Sequence, residues 1–222
     1  MDQNLQYKSL TSKIRRNNNY NLETIDPIPP TILTFEFENV YVSGLKSKQK
    51  IKESDIENFK KIECEFYQLN RGGELTWHGK GQLVTYLVLN LKDFAKLSPK
   101  CYVNNVLLKP LQNVLKNEFK LETNLNDLNP GIFYKNDKIA SIGVRIRHGV
   151  TEYGTSLNLN PDLKYLNTFE MCGIKDGKQT SLVNILRDKK DIADDLNIEK
   201  MSDLYVKQIA DVLSLVVEKT IL

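Results

Sequence analysis

The chain has 222 residues, 41% of them hydrophobic, and its 31 basic and 28 acidic side chains leave a net charge of only +3. That length supports one domain with a substantial core, and the near balance of charge lacks the strongly basic footprint of a nucleic-acid-binding protein. Three cysteines, Cys64, Cys101 and Cys172, at long irregular spacings argue against a disulfide framework and for a reducing compartment. The first twenty residues carry Lys8, Lys13, Arg15 and Arg16 beside Asn17, Asn18 and Asn19. This composition suits the tail of a mitochondrial transit peptide, so residues 1–28 read as an N-terminal segment and 29–222 as the domain.

After Pro27, Pro29 and Pro30, the residues Leu33, Phe35 and Phe37 alternate with Thr34, Glu36 and Glu38, which is the period of a half-buried strand. Lys46, Lys48, Lys50 and Lys52 also alternate; an extended segment would present four ammonium groups on one side, a docking stripe for an acidic partner. Ile62, Cys64 and Phe66 predict another strand leading into Arg71-Gly72-Gly73-Glu74-Leu75-Thr76-Trp77-His78-Gly79-Lys80-Gly81-Gln82. Four glycines let the backbone turn and lie against a ligand, while Arg71 and His78 supply hydrogen-bonding groups; the segment reads as a substrate cradle. Leu83 to Leu91 follows as a mostly apolar strand, about half the ~20 residues of a membrane helix.

Between Ser98 and Phe119, helical spacing of apolar residues is interrupted by Pro110, which predicts a break near Lys109. Apolar runs at Ile132–Tyr134 and Ile139–Ile146 flank Lys135-Asn136-Asp137-Lys138, hairpin-turn chemistry that puts Lys138 at the mouth. Thr155 to Leu159 predicts a short strand. Thr180 or Ser181 can cap a helix through Asp188, and Ser202 a helix from Asp203 to Lys219 with Val206, Ile209, Leu213, Val216 and Val217 on one stripe. The pattern is α+β. Gly79-Lys80 lacks the remaining glycine and hydroxyl of a phosphate loop, two histidines without a Cys-x-x-Cys make a structural zinc site a poor fit, and no Gly-x-Ser-x-Gly elbow is present.

Read together, the glycine segment, Lys138-Ile139-Ala140-Ser141-Ile142-Gly143 and Cys172-Gly173-Ile174 resemble the octanoyltransferase family, over most of the chain from about Pro29 to Leu182. The resemblance implies a biotin/lipoate protein ligase-like single domain, a mixed and mostly antiparallel sheet with flanking helices. It implies an acyltransferase that needs no cofactor, no metal, no nucleic acid and no membrane. The octanoyl group would pass from octanoyl-acyl carrier protein to lipoyl domains of 2-oxoacid dehydrogenase complexes and the glycine cleavage H protein.

By the same resemblance Cys172 is the acyl acceptor and Lys138 its catalytic partner. Arg71, Gly72, Gly73, Glu74, Leu75, Thr76, Trp77 and His78 bind substrate with Ser141, Ile142, Gly143, Gly154, Thr155 and Ser156, whose backbone N–H groups are candidates to hold the thioester oxygen. Leu83 to Leu89 would wall the acyl pocket. The chain departs from the family at Tyr153, where a histidine usually precedes Gly154, and at Lys80, where proline is usual. Two alternatives stay open. One is an ATP-dependent lipoate ligase, whose Arg-Arg-x-x-Gly-Gly-Gly segment Arg71-Gly72-Gly73 matches only in part; the other is a non-catalytic carrier-binding protein of the same fold.

Overall fold

The computed structural model describes residues 29–95, 97–126, 129–168, 178–188 and 196–220. In chain order these form β1 (Thr31–Phe35), β2 (Val40–Ser43), α1 (Glu53–Lys61), β3 (Glu65–Gln68), β4 (Thr76–His78), β5 (Gln82–Val88), a helical stretch from Pro99 that ends in α2 (Lys109–Phe119), β6 (Asn124–Leu125), β7 (Gly131–Tyr134), β8 (Asp137–Arg147), β9 (Val150–Asn158), α3 (Leu163–Asn167), α4 (Leu182–Ile185) and α5 (Ile198–Leu213). No helix among the described residues is long and apolar enough to cross a membrane.

Six strands make one sheet in the order β1-β5-β9-β8-β7-β6, every neighbour antiparallel. A smaller sheet, β3-β2-β4, pairs β2 parallel to β3 and antiparallel to β4. The α+β architecture expected from the pattern is therefore present, mostly antiparallel, with the parallel strand pairing in the small sheet rather than in the large one.

One face of the large sheet buries Leu83, Leu87, Ile132, Ile139 and Leu157 against Leu107, Leu111 and Leu115 of the helical stretch and Met201, Tyr205 and Ile209 of α5. Each such side chain contributes about 1.5–3 kcal/mol on burial. A second core collects Tyr41, Phe59, Cys64, Leu75, Trp77 and Leu166 between the small sheet, α1 and α3. Phe59 and Tyr41 stack there with ring centroids 4.3 Å apart and planes 21° from parallel.

Several expectations needed correction. Residues 45–50 fold as consecutive turns, so the four lysines do not line one side of a strand, and Lys50 pairs with Glu74 at 3.2 Å. Helix α1 was not expected. Its acidic first turn (Glu53, Asp55) and basic last turn (Lys60, Lys61) complement the helix dipole, and Ile62 and Cys64 follow its end rather than belonging to β3. Pro110 does not break the helical path. Tyr102–Leu108 is π-helical and Pro110 falls in the first turn of α2. The wider π turn, with Lys109 N–H donating to Asn104 O, absorbs the missing donor and the ring. Ser202 caps nothing: Asn197 caps α5 by accepting from Lys200 N–H, and Ser202, buried within the helix, contacts Thr34 Oγ1 at 3.1 Å. The helix stops at Leu213, leaving Val216 95% exposed rather than on a buried stripe.

Candidate active site

The face of the large sheet turned away from the helices is paved with small residues. Cross-strand partners share a face, and the register puts Gly131 opposite Ser141, Ser141 opposite Ser156, and Ser156 opposite Val84. The next row is Gly143, Gly154 and Tyr86, and Gln82 stands opposite Asn158. This alternation divides the expected substrate residues. Ser141, Gly143, Gly154 and Ser156 come together on the small-residue face, whereas Ile142 and Thr155, opposite one another, point toward the helices. Thr155 Oγ1 lies 3.2 Å from Tyr205 Oη, and Ile142 packs against the main core.

Lys138 crosses that face. Only 2% exposed, it is far from the solvated turn residue that its place at a hairpin suggests. Its Nζ donates to Asn129 Oδ1 at 2.7 Å and sits 5.4 Å from the centre of the Phe133 ring. The side chain runs over Gly131, where any Cβ would come within 2.4 Å of Lys138 Cε, so the lysine's path requires glycine there. The backbone of Lys138 also holds the start of the segment 178–180: Lys138 N–H donates to Lys178 O at 2.8 Å and Thr180 N–H donates to Lys138 O at 2.9 Å. Asn167 clasps the same segment from the other side, Oδ1 accepting from Gln179 N–H at 2.9 Å and Nδ2 donating to Gln179 O at 3.1 Å. Cys172, with Gly173 and Ile174, lies outside the described residues.

Arg71 is a buried tie. Its guanidinium donates to the carbonyl oxygens of Gly72, Val42 and Glu74 at 2.8, 3.2 and 3.2 Å. A Cβ on Gly143 would sit 3.0 Å from Arg71 Cδ, so the arginine lies directly on β8. Gly72 N–H donates to Val144 O at 3.2 Å, and Gly44 N–H to Glu74 O, while Ser47 Oγ accepts from Leu75 N–H at 2.7 Å. The cradle from Arg71 to Glu74 is thereby stitched to both sheets.

Beyond the cradle, β4 splits by the same rule as β8 and β9. Leu75 and Trp77 enter the small core, where Trp77 stacks on Tyr165 at 5.3 Å. Among the described residues Trp77 Nε1 has no nitrogen or oxygen partner; it meets the Cys64 thiol, whose pKa burial raises. Cys64 is therefore a protonated packing residue, as expected of a buried thiol.

His78 leaves β4 on the opposite side from Trp77. Its Nδ1 is 2.6 Å from Gln82 Oε1; Gln82 Nε2 donates to Asn158 Oδ1 at 2.8 Å, and Asn158 Nδ2 donates to Thr180 O at 2.9 Å. Burial, opposed by the Gln82 hydrogen bond and assisted by the Arg71 charge, lowers the His78 pKa to about 4, so the imidazole is neutral near pH 7. An aromatic row extends from it: Phe37 at 6.0 Å, then Phe35, Tyr86 and Tyr153. Tyr153 holds φ 64, a left-handed conformation rare outside glycine. Burial and the Glu152 charge raise its pKa, so the phenol serves as donor or acceptor and not as a base.

Sheet geometry narrows one expectation about this region and overturns another. Strand β9 is paired on both sides, and in antiparallel ladders each residue directs its N–H to one neighbour, so Gly154, Thr155 and Ser156 have none left for a thioester oxygen. Ser141 is likewise flanked by β7 and β9. Ile142 lies past the β7 pairing and shares by alternation the edge on which Val144 O meets Gly72. Leu83, Leu87 and Leu89 fill the main core and do not wall an acyl pocket. Conversely, the sequence does not single out Asn129, Gly131, Gln82 or Asn158 for the site, although Gln82 ends the glycine segment; only the tertiary structure brings them to it.

The lipoyl protein ligase A/B catalytic domain matches residues 17–210. In the solved structure of lipoate-protein ligase A bound with ATP, the same fold recurs with a TM-score of 0.69 at 14% identity, over 87% of this chain and 76% of that one. The architecture is thus that of the lipoate ligase class. Among curated relatives, the mitochondrial octanoyltransferase of Kluyveromyces lactis is 33% identical over 84% of this chain and 60% of its own length. The mitochondrial octanoyl-[acyl-carrier-protein]:protein N-octanoyltransferase of Danio rerio is 32% identical over 84% of this chain and 80% of its own. The chain belongs to the octanoyltransferases of the lipoyl protein ligase A/B catalytic-domain family. It spans about three fifths of the length of the Kluyveromyces lactis and Saccharomyces cerevisiae relatives.

Proposed function

We propose that the chain moves an octanoyl group from octanoyl-acyl carrier protein, by way of a thioester on Cys172, to the lysine of lipoyl domains. The observation that carries this reading is Lys138, an almost fully buried lysine lying over Gly131. Its backbone grips Lys178 and Thr180. Cys172 stands five residues after Asn167 and six before Lys178, the two residues beside that grip.

In the first step the Cys172 thiolate attacks the carrier's thioester carbonyl, and the carrier's thiolate leaves and takes up a proton. In the second the lysine amine attacks the acyl-enzyme. An amide forms, the Cys172 thiolate departs, and the amine gives up a proton. Thiolates attack and leave readily, so dividing the transfer at a thioester lowers both barriers. Lys138 stabilises the thiolate in each half, and burial of the octanoyl chain would contribute about 0.8 kcal/mol per CH₂. The names of the Danio rerio relative and of the octanoyltransferases support the donor and the acyl group, and the mitochondrial labels of the fungal and fish relatives favour a mitochondrial site of action.

Intact-protein mass spectrometry after incubation with octanoyl-acyl carrier protein tests this. One octanoyl adduct is expected, absent from Cys172→Ala and discharged by a lipoyl domain. A normal adduct on Cys172→Ala overturns the assignment, and pyrophosphate release from ATP with free lipoate points to ligation instead.

A further inference from the structure

Three side chains join the small sheet to the strand that carries Lys138. From the far end, Thr180 O is a carbonyl and can only accept, so Asn158 presents its Nδ2 at 2.9 Å and its Oδ1 faces Gln82. Gln82 must then donate from Nε2 at 2.8 Å and offer Oε1 to His78 Nδ1 at 2.6 Å. Amide orientation propagates along such a chain because each group has one donor end and one acceptor end. Gln82 and Asn158 are 1% and 2% exposed, so solvent does not relax the order. Thr180 N–H in turn donates to Lys138 O at 2.9 Å, which ties the same chain to the backbone of the lysine.

The proton of the neutral imidazole therefore belongs on Nδ1, opposite to the preference of a free histidine side chain, and the lone pair belongs on Nε2. In an enzyme the ring nitrogen that carries the proton is set by the partner of the other. We propose that Gln82 and Asn158 are positioning residues that lock His78 as the Nδ1–H tautomer, so that Nε2 accepts a hydrogen bond from the amine of the acceptor lysine. The role of the amine rests on the octanoyl-transfer reading above; the tautomer does not.

The chain has two histidines, and His148, in the turn between β8 and β9, is exposed with φ 54. A His148→Asn background, which suits that backbone, leaves a single imidazole whose ring ¹⁵N shifts report the tautomer in the full chain near pH 7. The expected result is a protonated Nδ1 and an unprotonated Nε2. Gln82→Met should shift the ring toward Nε2–H and lower acyl transfer to a lipoyl domain about 10- to 100-fold. Asn158→Leu should do the same through Gln82. An Nε2–H ring in the starting protein, an unchanged tautomer in Gln82→Met, or a changed tautomer at full turnover overturns the proposal. Because the tautomer is read without substrate, an Nδ1–H protein that transfers no octanoyl group would fault the acyl-transfer reading and leave the amide chain standing.

Discussion

On the helix-covered face of the six-stranded sheet, Leu83, Leu87 and Leu157 are at most 1% exposed and meet the helical stretch and α5. On the other face β8 and β9 carry Ser141, Gly143, Gly154 and Ser156, with Lys138, Arg71 and the His78 amide chain around them. A strand's period of two keeps these populations apart while they share one backbone. Large branched residues supply stability on one side. Small residues on the other give up packing so that a lysine and an arginine can lie flat against the sheet.

Substitutions confined to one face or the other can break this contrast. Lys138→Met keeps the length of the side chain and removes its charge. Octanoyl transfer should fall on the order of 10³-fold, with an unfolding midpoint no lower than that of the starting protein, because a buried ammonium costs folding energy. A clear loss of stability together with retained turnover would assign Lys138 to the fold. Leu87→Ala, on the covered face, should do the reverse, costing about 2–5 kcal/mol in urea unfolding while the surviving folded protein turns over normally.

The third test uses pH. His78 stays neutral in the folded protein down to about pH 4, but an unfolded histidine takes a proton near pH 6.5. The unfolded state therefore binds more protons between these values, and stability is lost as pH falls through that window, by at most about 3 kcal/mol. His78→Gln should flatten this slope in unfolding curves taken at pH 7 and pH 4.5; an unchanged slope would place the titration elsewhere. Smallest is Thr155→Val, which removes the contact with Tyr205 Oη. It should cost about 1 kcal/mol without changing turnover, although Thr155 sits between two residues of the small-residue face. A marked activity loss there would mean that the two faces are not separable.

Much of this was legible beforehand. The hairpin around Lys135 and Asn136, the alternation at Leu33 and Phe35, and the cap at Ser181 follow from local chemistry. Where the reading went astray, a tertiary partner had overruled a local signal. Pro110 is accommodated by a π turn packed into the main core. Ser202 looks like a cap but is buried against Thr34, and the lysines from Lys46 to Lys52 alternate without forming a strand. Lys138 reads as a solvated turn residue until Gly131, seven positions earlier, opens a path for its side chain.

The sequence by itself determined the α+β pattern and the three motifs that mark an octanoyltransferase, because glycine spacing, turn residues and period-two runs act over a few neighbouring residues. Only the tertiary structure decided which motif residues face the site. A one-residue change of register would exchange Ser141 and Ser156 for Ile142 and Thr155, and nothing local fixes that register. It also decided that Gln82, Asn158 and Thr180, scattered over about a hundred residues, meet in one hydrogen-bonded line, since such contacts form only where separate strands are brought side by side.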